Sequence, residues 1–192
     1  ADNGNNFRAL GGLITDYGKP LNYNVVFRGT NIDETTTAEK ALFTGYLGIT
    51  REVDLRGQTS DKTRNVARHI ITASDPANGI TATSCTLRYF TGYSDMTGEK
   101  LKNQFTDIVN ELSNGGTCYI HCFAGADRTG YLCMLIEAVC GVSLAECTID
   151  YELTSFSCVG VRDRRGKLKN EAGYRGLVNI AGTTGSTTKA KA

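Results

Sequence analysis

The chain has 192 residues, of which 40% are hydrophobic and 21% charged, and its formal net charge is +1. This composition supports a packed core and excludes a wholly disordered chain. A charge so close to zero argues against a nucleic-acid partner, and no apolar run reaches the roughly 18 residues that a transmembrane helix needs. The sequence therefore indicates one globular domain without a transmembrane segment.

Runs rich in β-branched and aromatic residues alternate along the chain with runs whose apolar residues recur at helical spacing. In chain order the predicted elements are a strand at Val25–Phe27, a helix at Thr37–Tyr46, a strand at Glu52–Arg56, a helix at Asp61–Ile71, a strand at Thr86–Phe90, a helix at Glu99–Leu112, a strand at Cys118–Ile120, and helices at Thr129–Val139 and Ser143–Phe156. This alternation predicts an α/β fold, with a central, mainly parallel sheet of four to five strands flanked by helices.

The two ends of the chain differ from its middle. Residues 1–6 are polar and rich in Asn, and we expect them to be disordered, with the folded domain over residues 7–180. In the tail, residues 181–192, a Gly-Ser-Thr-Thr run has the chemistry of a helix start. Two interpretations stay open for this tail: a frayed terminus, or the first turn of a helix that is cut short.

A chemically distinctive segment, His121–Gly130, lies between the last predicted strand and the helix that follows it, and reads HCFAGADRTG. A tight loop in that setting turns backbone N–H groups inward, and the helix N-terminus adds partial positive charge. Arg128 adds a planar fork that can hold two phosphate oxygens. The predicted phosphate-binding residues are Phe123, Ala124, Gly125, Ala126, Asp127 and Arg128.

Cys122 stands at the centre of this predicted anion site. Inward amides, a helix N-terminus and a nearby guanidinium all stabilise a thiolate, so we expect a lowered pKa for the Cys122 thiol. A thiolate there can attack phosphorus and form a phosphocysteine that water then hydrolyses, with the Thr129 hydroxyl assisting the sulfur as it leaves. The chain has seven cysteines, and the sequence leaves open whether the other six form disulfides or simply pack.

The Cys-x5-Arg-Thr pattern between a strand and a helix resembles the cysteine-based protein tyrosine phosphatases. The longer pattern is similar to a bacterial tyrosine and dual-specificity branch whose loop reads HCxAGKDRTG. Three upstream segments fit the same branch: Asn6–Gly12 its NFRxLGG opening, Val26–Arg28 its (L/V)FR segment, and Val53–Arg56 its DLR strand. The resemblance implies a phosphatase without a cofactor, acting on a phosphorylated protein, lipid or inositol phosphate.

One residue of the loop departs from that branch. Ala126 stands where the branch has Lys, which removes a cation that would help to hold a second phosphate or a lipid head group. The departure favours a protein phosphotyrosine or dual-specificity phosphatase over an inositol phosphate or phosphoinositide phosphatase. A third alternative is an inactive phosphate-binding module, against which the intact Cys122, Arg128 and Thr129 argue.

The general acid that protonates the leaving alcohol has three candidates. The first is Asp95, because it lies in a loop after a strand, where these phosphatases carry a mobile acid loop, although the usual Trp-Pro flank is missing. Asp127 at the rim of the loop is the second. Asp54, at the end of a strand, is the third, and it can instead bind Arg28 or Arg56. We expect His121, Asp54 and Arg28 to support the loop from behind.

Other features of the sequence leave more than one interpretation open. The only two histidines are His69 and His121, and there is no Cys-x2-Cys pair, so the sequence predicts no metal site. A basic run over Val161–Lys169 fits either a site for additional phosphates or a solvated loop. Abundant Thr and Asn slightly favour an exported protein, whereas a reactive thiol is easier to keep reduced in the cytosol. The oligomeric state stays open.

Overall fold

The computed structural model describes residues 6–57, 68–70, 85–90, 98–158 and 160–161. Within these ranges the chain forms five strands and four α-helices. The strands are β1 (Arg8–Ala9), β2 (Val26–Gly29), β3 (Arg51–Asp54), β4 (Thr86–Tyr89) and β5 (Cys118–His121). The helices are α1 (Thr37–Gly45), α2 (Gly98–Ser113), α3 (Asp127–Val139) and α4 (Leu144–Leu153), after which comes a 3₁₀ turn at Thr154–Phe156.

The five strands form one sheet in the order β1-β2-β5-β3-β4. Strand β1 runs antiparallel to β2, and every other neighbouring pair is parallel. The predicted α/β fold with a mainly parallel sheet is therefore confirmed. Strand β1 was not predicted from the sequence, because two residues are too few to show an alternating pattern.

Several sequence predictions fall outside the described residues. These are the terminal segments 1–5 and 181–192, most of the predicted helix Asp61–Ile71, the loop that carries Asp95, and the basic run beyond Val161. Asn6 is described, and its side chain donates to the Gly125 carbonyl oxygen at 2.9 Å. None of the helices in the described part of the chain is both long and apolar enough to cross a membrane.

Side chains of the central strands alternate between the two faces of the sheet and bury both of them. On one face, Val26, Val53 and Ile120 pack with Ile108 of α2 and Leu132 of α3. On the other face an aromatic cluster joins the sheet to α1 and to the chain before β1. Its members include Phe7, Phe27, Phe43 and Tyr119. Helices on both faces leave the carboxyl edge of the parallel strands as the natural place for a site.

The helices begin in two different ways. Helix α1 starts with a capping box in which Thr36 and Glu39 exchange hydrogen bonds, and the Ser143 side chain caps α4. Helix α3 follows Ala126, which has no side chain that can accept a hydrogen bond. The first N–H groups of α3 are therefore left without a side-chain cap, and they face the loop that follows β5.

Candidate active site

The loop over residues 122–126 leaves the central strand of the sheet. Strand β5 lies between β2 and β3, with His121 opposite Gly29 on one side and Asp54 on the other. The segments that follow β2 and β3 therefore flank the loop. This position results from the strand order, since parallel neighbours end at the same edge.

The loop carbonyls are held on its outer side. The Asn31 backbone N–H and side-chain amide donate to the Phe123 carbonyl oxygen at 3.1 and 2.8 Å. The Gly125 carbonyl oxygen accepts from Asn6 Nδ2 at 2.9 Å and from Arg28 Nη2 at 3.0 Å. Because the N–H of a trans peptide points opposite to its carbonyl, these bonds turn the N–H groups of Ala124 and Ala126 toward the interior of the loop.

An ion-pair cluster behind the loop holds these anchors in place. Arg28 Nη1 lies 2.6 Å from Asp150 Oδ2, and Arg8 Nε lies 2.9 Å from Asp150 Oδ1. Arg8 also donates to the side-chain oxygen of Asn6. Burial raises the pKa of a carboxyl, but the charges of Arg28 and Arg8 outweigh it and keep the pKa of Asp150 below its usual value. The upstream segments that contain Asn6, Arg8 and Arg28 thus support the loop.

Gly125 allows the loop to approach the end of β2. Its φ is +64°, and a Cβ added there would lie 2.1 Å from the Gly29 carbonyl oxygen. Any other residue at this position would therefore have an unfavourable φ, and its Cβ would collide with the backbone at the end of β2.

Cys122 lies in the centre of the loop with 3% of its surface exposed. Burial alone would raise its pKa. The Thr129 hydroxyl and backbone N–H, the charge of Arg128 and the Gly125 N–H outweigh that effect and lower the pKa of the thiol below its ordinary value. The Thr129 hydroxyl is buried and forms no hydrogen bond with any other described side chain or backbone group, so it can interact with the Cys122 sulfur. The arrangement stabilises a thiolate.

The remaining cysteines are of another kind. All seven cysteines lie among the described residues, and all are free thiols. Burial raises the pKa to about 12 for each of three of them, namely Cys85, Cys118 and Cys133. Four of the other six cysteines are buried, whereas Cys140 and Cys158 are exposed. The lowered pKa distinguishes Cys122 from the buried thiols around it.

Arg128 and Asp127 begin helix α3 at the rim of the loop. Arg128 Nη1 donates to the Leu55 carbonyl at 2.9 Å, which ties the guanidinium to the end of β3. The Tyr151 hydroxyl donates to Asp127 Oδ1 at 3.1 Å. Both side chains are half-buried, so they border the loop opening while remaining attached to the scaffold.

The three acid candidates differ in their surroundings. Asp54 is fully buried and binds Arg56, whose guanidinium also binds Asp33. Of its two predicted partners, Asp54 therefore meets Arg56 and not Arg28. Asp127 is accessible at the rim, and Asp95 lies outside the described residues.

His121 belongs to a buried polar chain on the face of the sheet that packs against α1. Its Nε2 lies 2.9 Å from Glu52 Oε1, and the same oxygen lies 2.6 Å from His69 Nδ1. Among the described residues these three also form the one group with the composition of a metal site. The sequence predicted no such group, because Glu52 and the two histidines lie far apart along the chain.

Sequence reasoning missed four residues that shape this region: Asn6 and Asn31, which hold the loop carbonyls, Asp150, and Glu52. Asn6 lies within one of the upstream segments, so it could have been singled out. Glu52 is an acid within a strand, and a buried charge needs a partner, which is a usable signal. Asp150 lies in an ordinary helical pattern and gives no such signal.

A Cys-x5-Arg loop between the central strand of a mainly parallel sheet and a helix defines a cysteine-dependent phosphatase. The model of the tyrosine phosphatase family matches residues 1–189. The chain therefore belongs to the tyrosine phosphatase family, and it is a phosphatase of the cysteine-dependent type. No curated protein matches the chain in sequence.

Solved structures with the same fold come from several kinds of phosphatase. The core catalytic domain of the PP-IP phosphatase SIW14 from S. cerevisiae is 13% identical, with 93% of this chain and 86% of that chain covered and a TM-score of 0.56. TpbA from P. aeruginosa in complex with pTyr is 13% identical, with 88% of each chain covered and a TM-score of 0.51. PTPMT1 in complex with PI(5)P is 11% identical, with 82% of this chain and 95% of that chain covered and a TM-score of 0.50. At these identities the likeness shows a shared fold.

Proposed function

We propose that this phosphatase acts on phosphotyrosine in proteins, with Cys122 as its nucleophile. The observation that carries the proposal is a buried thiol whose pKa is lowered at the centre of an anion-binding loop, directly before an exposed aromatic residue. Phosphate oxygens would occupy the loop interior, where the N–H groups of residues 123–128 and the Arg128 guanidinium can surround them.

In the first chemical step the Cys122 thiolate attacks phosphorus. The sulfur–phosphorus bond forms as the bond from phosphorus to the leaving oxygen breaks, and that oxygen takes a proton from a general acid. The inward N–H groups and Arg128 stabilise the charge on the three remaining phosphoryl oxygens. In the second step the deprotonated general acid takes a proton from water as the water oxygen attacks phosphorus. The sulfur–phosphorus bond breaks, phosphate is released, and the Thr129 hydroxyl stabilises the departing thiolate.

For the general acid we keep Asp95 as the first candidate and Asp127 as the second. The buried ion pair of Asp54 with Arg56 counts against Asp54, because an acid engaged in this way cannot reach a leaving oxygen outside the loop. Asp95→Asn should reduce turnover more for poor leaving groups than for p-nitrophenol. An equal loss across a series of aryl phosphates would exclude Asp95, and the same series applied to Asp127→Asn then tests the alternative.

The residue types at the rim support an aryl phosphate as substrate. Phe123 follows the nucleophile directly, and 69% of its surface is exposed. Its carbonyl is fixed by Asn31, so the backbone that carries the ring is held in place. Ala126 is fully buried and brings no cation to the loop. An apolar ring with no added charge suits the phenyl group of phosphotyrosine better than a polyphosphate.

Inositol phosphates are the second candidate class. Two of the proteins that share the fold are a PP-IP phosphatase and a phosphatase crystallised with PI(5)P. The basic run Val161–Lys169 has the charge to bind additional phosphates.

One assay with three substrate groups separates these candidates: phosphotyrosine and phosphoserine peptides, phosphoinositide vesicles, and inositol polyphosphates. We expect phosphotyrosine peptide to give the highest kcat/KM, by about tenfold or more, with inhibition by vanadate and no effect of EDTA. Phe123→Ala should reduce that preference while p-nitrophenyl phosphate remains a substrate. A higher kcat/KM for inositol polyphosphates than for phosphotyrosine would replace our proposal by the second candidate.

A further inference from the structure

Glu52 is a fully buried acid in the middle of strand β3. A lone carboxylate at such a position is strongly destabilising, so its charge must be matched by donors. Three donors surround it. Glu52 Oε1 accepts from His69 Nδ1 at 2.6 Å and from His121 Nε2 at 2.9 Å, and Glu52 Oε2 accepts from the Ile70 backbone N–H at 2.7 Å.

These contacts indicate which nitrogens of the two rings carry protons. His69 donates from Nδ1, while its Nε2 lies 3.1 Å from the Tyr89 hydroxyl, which can donate to it. His69 can thus be satisfied as a neutral ring. His121 donates from Nε2 to Glu52, and its Nδ1 lies 3.2 Å from the Cys122 carbonyl, which can only accept. Both nitrogens of His121 are therefore donors, which makes the ring an imidazolium.

We propose that Glu52 is a positioning residue that holds His121 as an imidazolium against the Cys122 backbone and thereby stabilises the Cys122 thiolate. The inference rests on the proposed role of Cys122 as the nucleophile. Register supports it, because Glu52 lies opposite Tyr119, which shares a face of the sheet with His121. His69 and Tyr89 extend the chain of hydrogen bonds to the end of β4.

The charged groups around His121 agree with this assignment. Asp54 Oδ1 lies 4.0 Å from His121 Nδ1, Arg56 binds Asp54, and the Tyr119 ring stacks on the imidazole at 5.4 Å between centroids. Burial opposes the charged ring, but Asp54 and Glu52 outweigh both burial and Arg56 and raise the pKa of His121 to about 8.

The groups that face Glu52 keep it ionised. On the α1 side, the charge of Lys40 interacts with Glu52. Burial would raise the pKa of Glu52, but its hydrogen bonds with His121 and His69 lower that pKa to about 2. Glu52 therefore remains a carboxylate at every pH at which His121 titrates.

A metal ion is the competing explanation for this group. Glu52, His69 and His121 are all fully buried, and their ligand-type atoms lie within 4.8 Å of one another. Their contacts of 2.6 and 2.9 Å are ordinary hydrogen-bond distances, which a proton between each pair explains. The experiment below therefore includes a chelation arm.

The test measures the Cys122 thiolate without relying on phosphatase activity. Alkylation of Cys122 by iodoacetamide is followed by peptide mass spectrometry from pH 5 to 10 in the full chain and in Glu52→Gln. We expect the Glu52→Gln rate at pH 6 to fall about tenfold, because the neutral amide no longer favours the imidazolium. At pH 10 the two rates should converge, since the thiol is then ionised in both proteins.

Two further variants make the result specific. His121→Gln should reproduce the loss of reactivity. Adding it to Glu52→Gln should cause no further loss, since either change alone removes the positive charge of the His121 imidazolium. Asp107→Asn is the matched control, because it removes an acid that pairs with Arg51 at the opposite end of β3. Its alkylation profile should overlay that of the unchanged protein. An unshifted His121→Gln profile overturns the proposal whether or not Glu52→Gln folds.

Three further results would overturn the proposal. The first is an unshifted profile in folded Glu52→Gln. The second is a profile of the unchanged protein that shifts on dialysis against EDTA and returns with zinc, which would identify a metal site. The third is an additive loss in the double variant. Failure of the proposed function looks different: Cys122 would keep its low-pH reactivity and its dependence on Glu52, yet no phosphomonoester would be hydrolysed.

Discussion

The two ends of strand β5 carry two cysteines with opposite properties. Cys118 begins the strand and Cys122 follows its last residue, and both are buried, with 0% and 3% of their surfaces exposed. Burial, reinforced by the carboxylate of Glu111, raises the pKa of Cys118 to about 12. The pKa of Cys122 is lowered despite the same burial. Burial by itself therefore does not decide thiol acidity in this fold.

What differs is the backbone direction around each sulfur. At the carboxyl edge of the sheet the chain turns into a loop with inward N–H groups, and the N-terminus of α3 faces the sulfur. At the opposite edge, Glu111 and Asp107 of α2 lie near the start of β5 and disfavour an anion. A parallel strand thus places a thiolate site at one end and an inert thiol at the other.

The largest difference between the two ends of β5 should appear when the cysteine sulfur is replaced by oxygen. Cys122→Ser should reduce hydrolysis of p-nitrophenyl phosphate by about 10⁴-fold or more, because the serine hydroxyl is not ionised at neutral pH. Cys118→Ser is the matched control and should stay within about threefold of the unchanged protein. Full activity in Cys122→Ser would remove the phosphocysteine mechanism.

The second largest difference should appear when a glycine near each end of β5 is replaced by alanine. Gly125→Ala should lower kcat/KM by about 10²- to 10³-fold, since the new Cβ would meet the Gly29 carbonyl and displace the loop N–H groups. Gly115→Ala, just before β5, is a matched control with φ of +80° and open space around it. Steady-state kinetics on p-nitrophenyl phosphate measure both. Similar losses in both variants would show that backbone strain, and not loop position, is responsible.

A smaller effect should appear in direct thiol labelling. At pH 6.5 iodoacetamide should modify Cys122 at least about tenfold faster than Cys118, because only Cys122 has its pKa lowered. Inorganic phosphate or vanadate should slow labelling of Cys122 alone. Peptide mass spectrometry resolves the two sites and the exposed Cys140 and Cys158. Equal rates at the two buried sites would contradict the electrostatic difference.

The smallest effect should appear in the dependence of stability on pH. The raised pKa of His121, about 8, means that its stabilising contribution is complete below pH 6.5 and is lost as the pH rises through 8. This loss amounts to about 2 kcal/mol at most. The lowered pKa of Cys122 acts in the opposite direction, because its contribution is present above the unfolded pKa and lost as the pH falls.

Urea unfolding of the unchanged protein and of Cys122→Ser between pH 6 and 9 can separate these contributions. Cys122→Ser removes the Cys122 contribution, which opposes that of His121, so its free energy of unfolding should decline more steeply over this range than that of the unchanged protein. Cys118→Ser should follow the unchanged protein. Parallel curves for Cys122→Ser and the unchanged protein would contradict the prediction.

Much of this molecule could be predicted because its signals are local. The Cys122-to-Arg128 spacing covers one short loop and the first residues of α3, and the flanking strand and helix have the apolar patterns of buried elements. The α/β fold and the mainly parallel sheet followed from the alternation of such patterns. The carbonyl anchors were only partly predictable, since Asn6 and Arg28 lie in segments with a recognisable pattern, whereas Asn31 does not.

The sequence by itself determined the fold class, and it was enough to predict a nucleophile within a phosphate-binding loop, because each depends on residues that are near neighbours along the chain. Only the tertiary structure decided which distant groups support them. Asp150 meets Arg28 across 122 positions, and Glu52 meets His121 across 69. Such pairs depend on strand order and register, which bring Glu52 opposite Tyr119 and beside His121. Because a buried charge must be matched wherever the fold places it, those partners became visible only once the sheet was assembled.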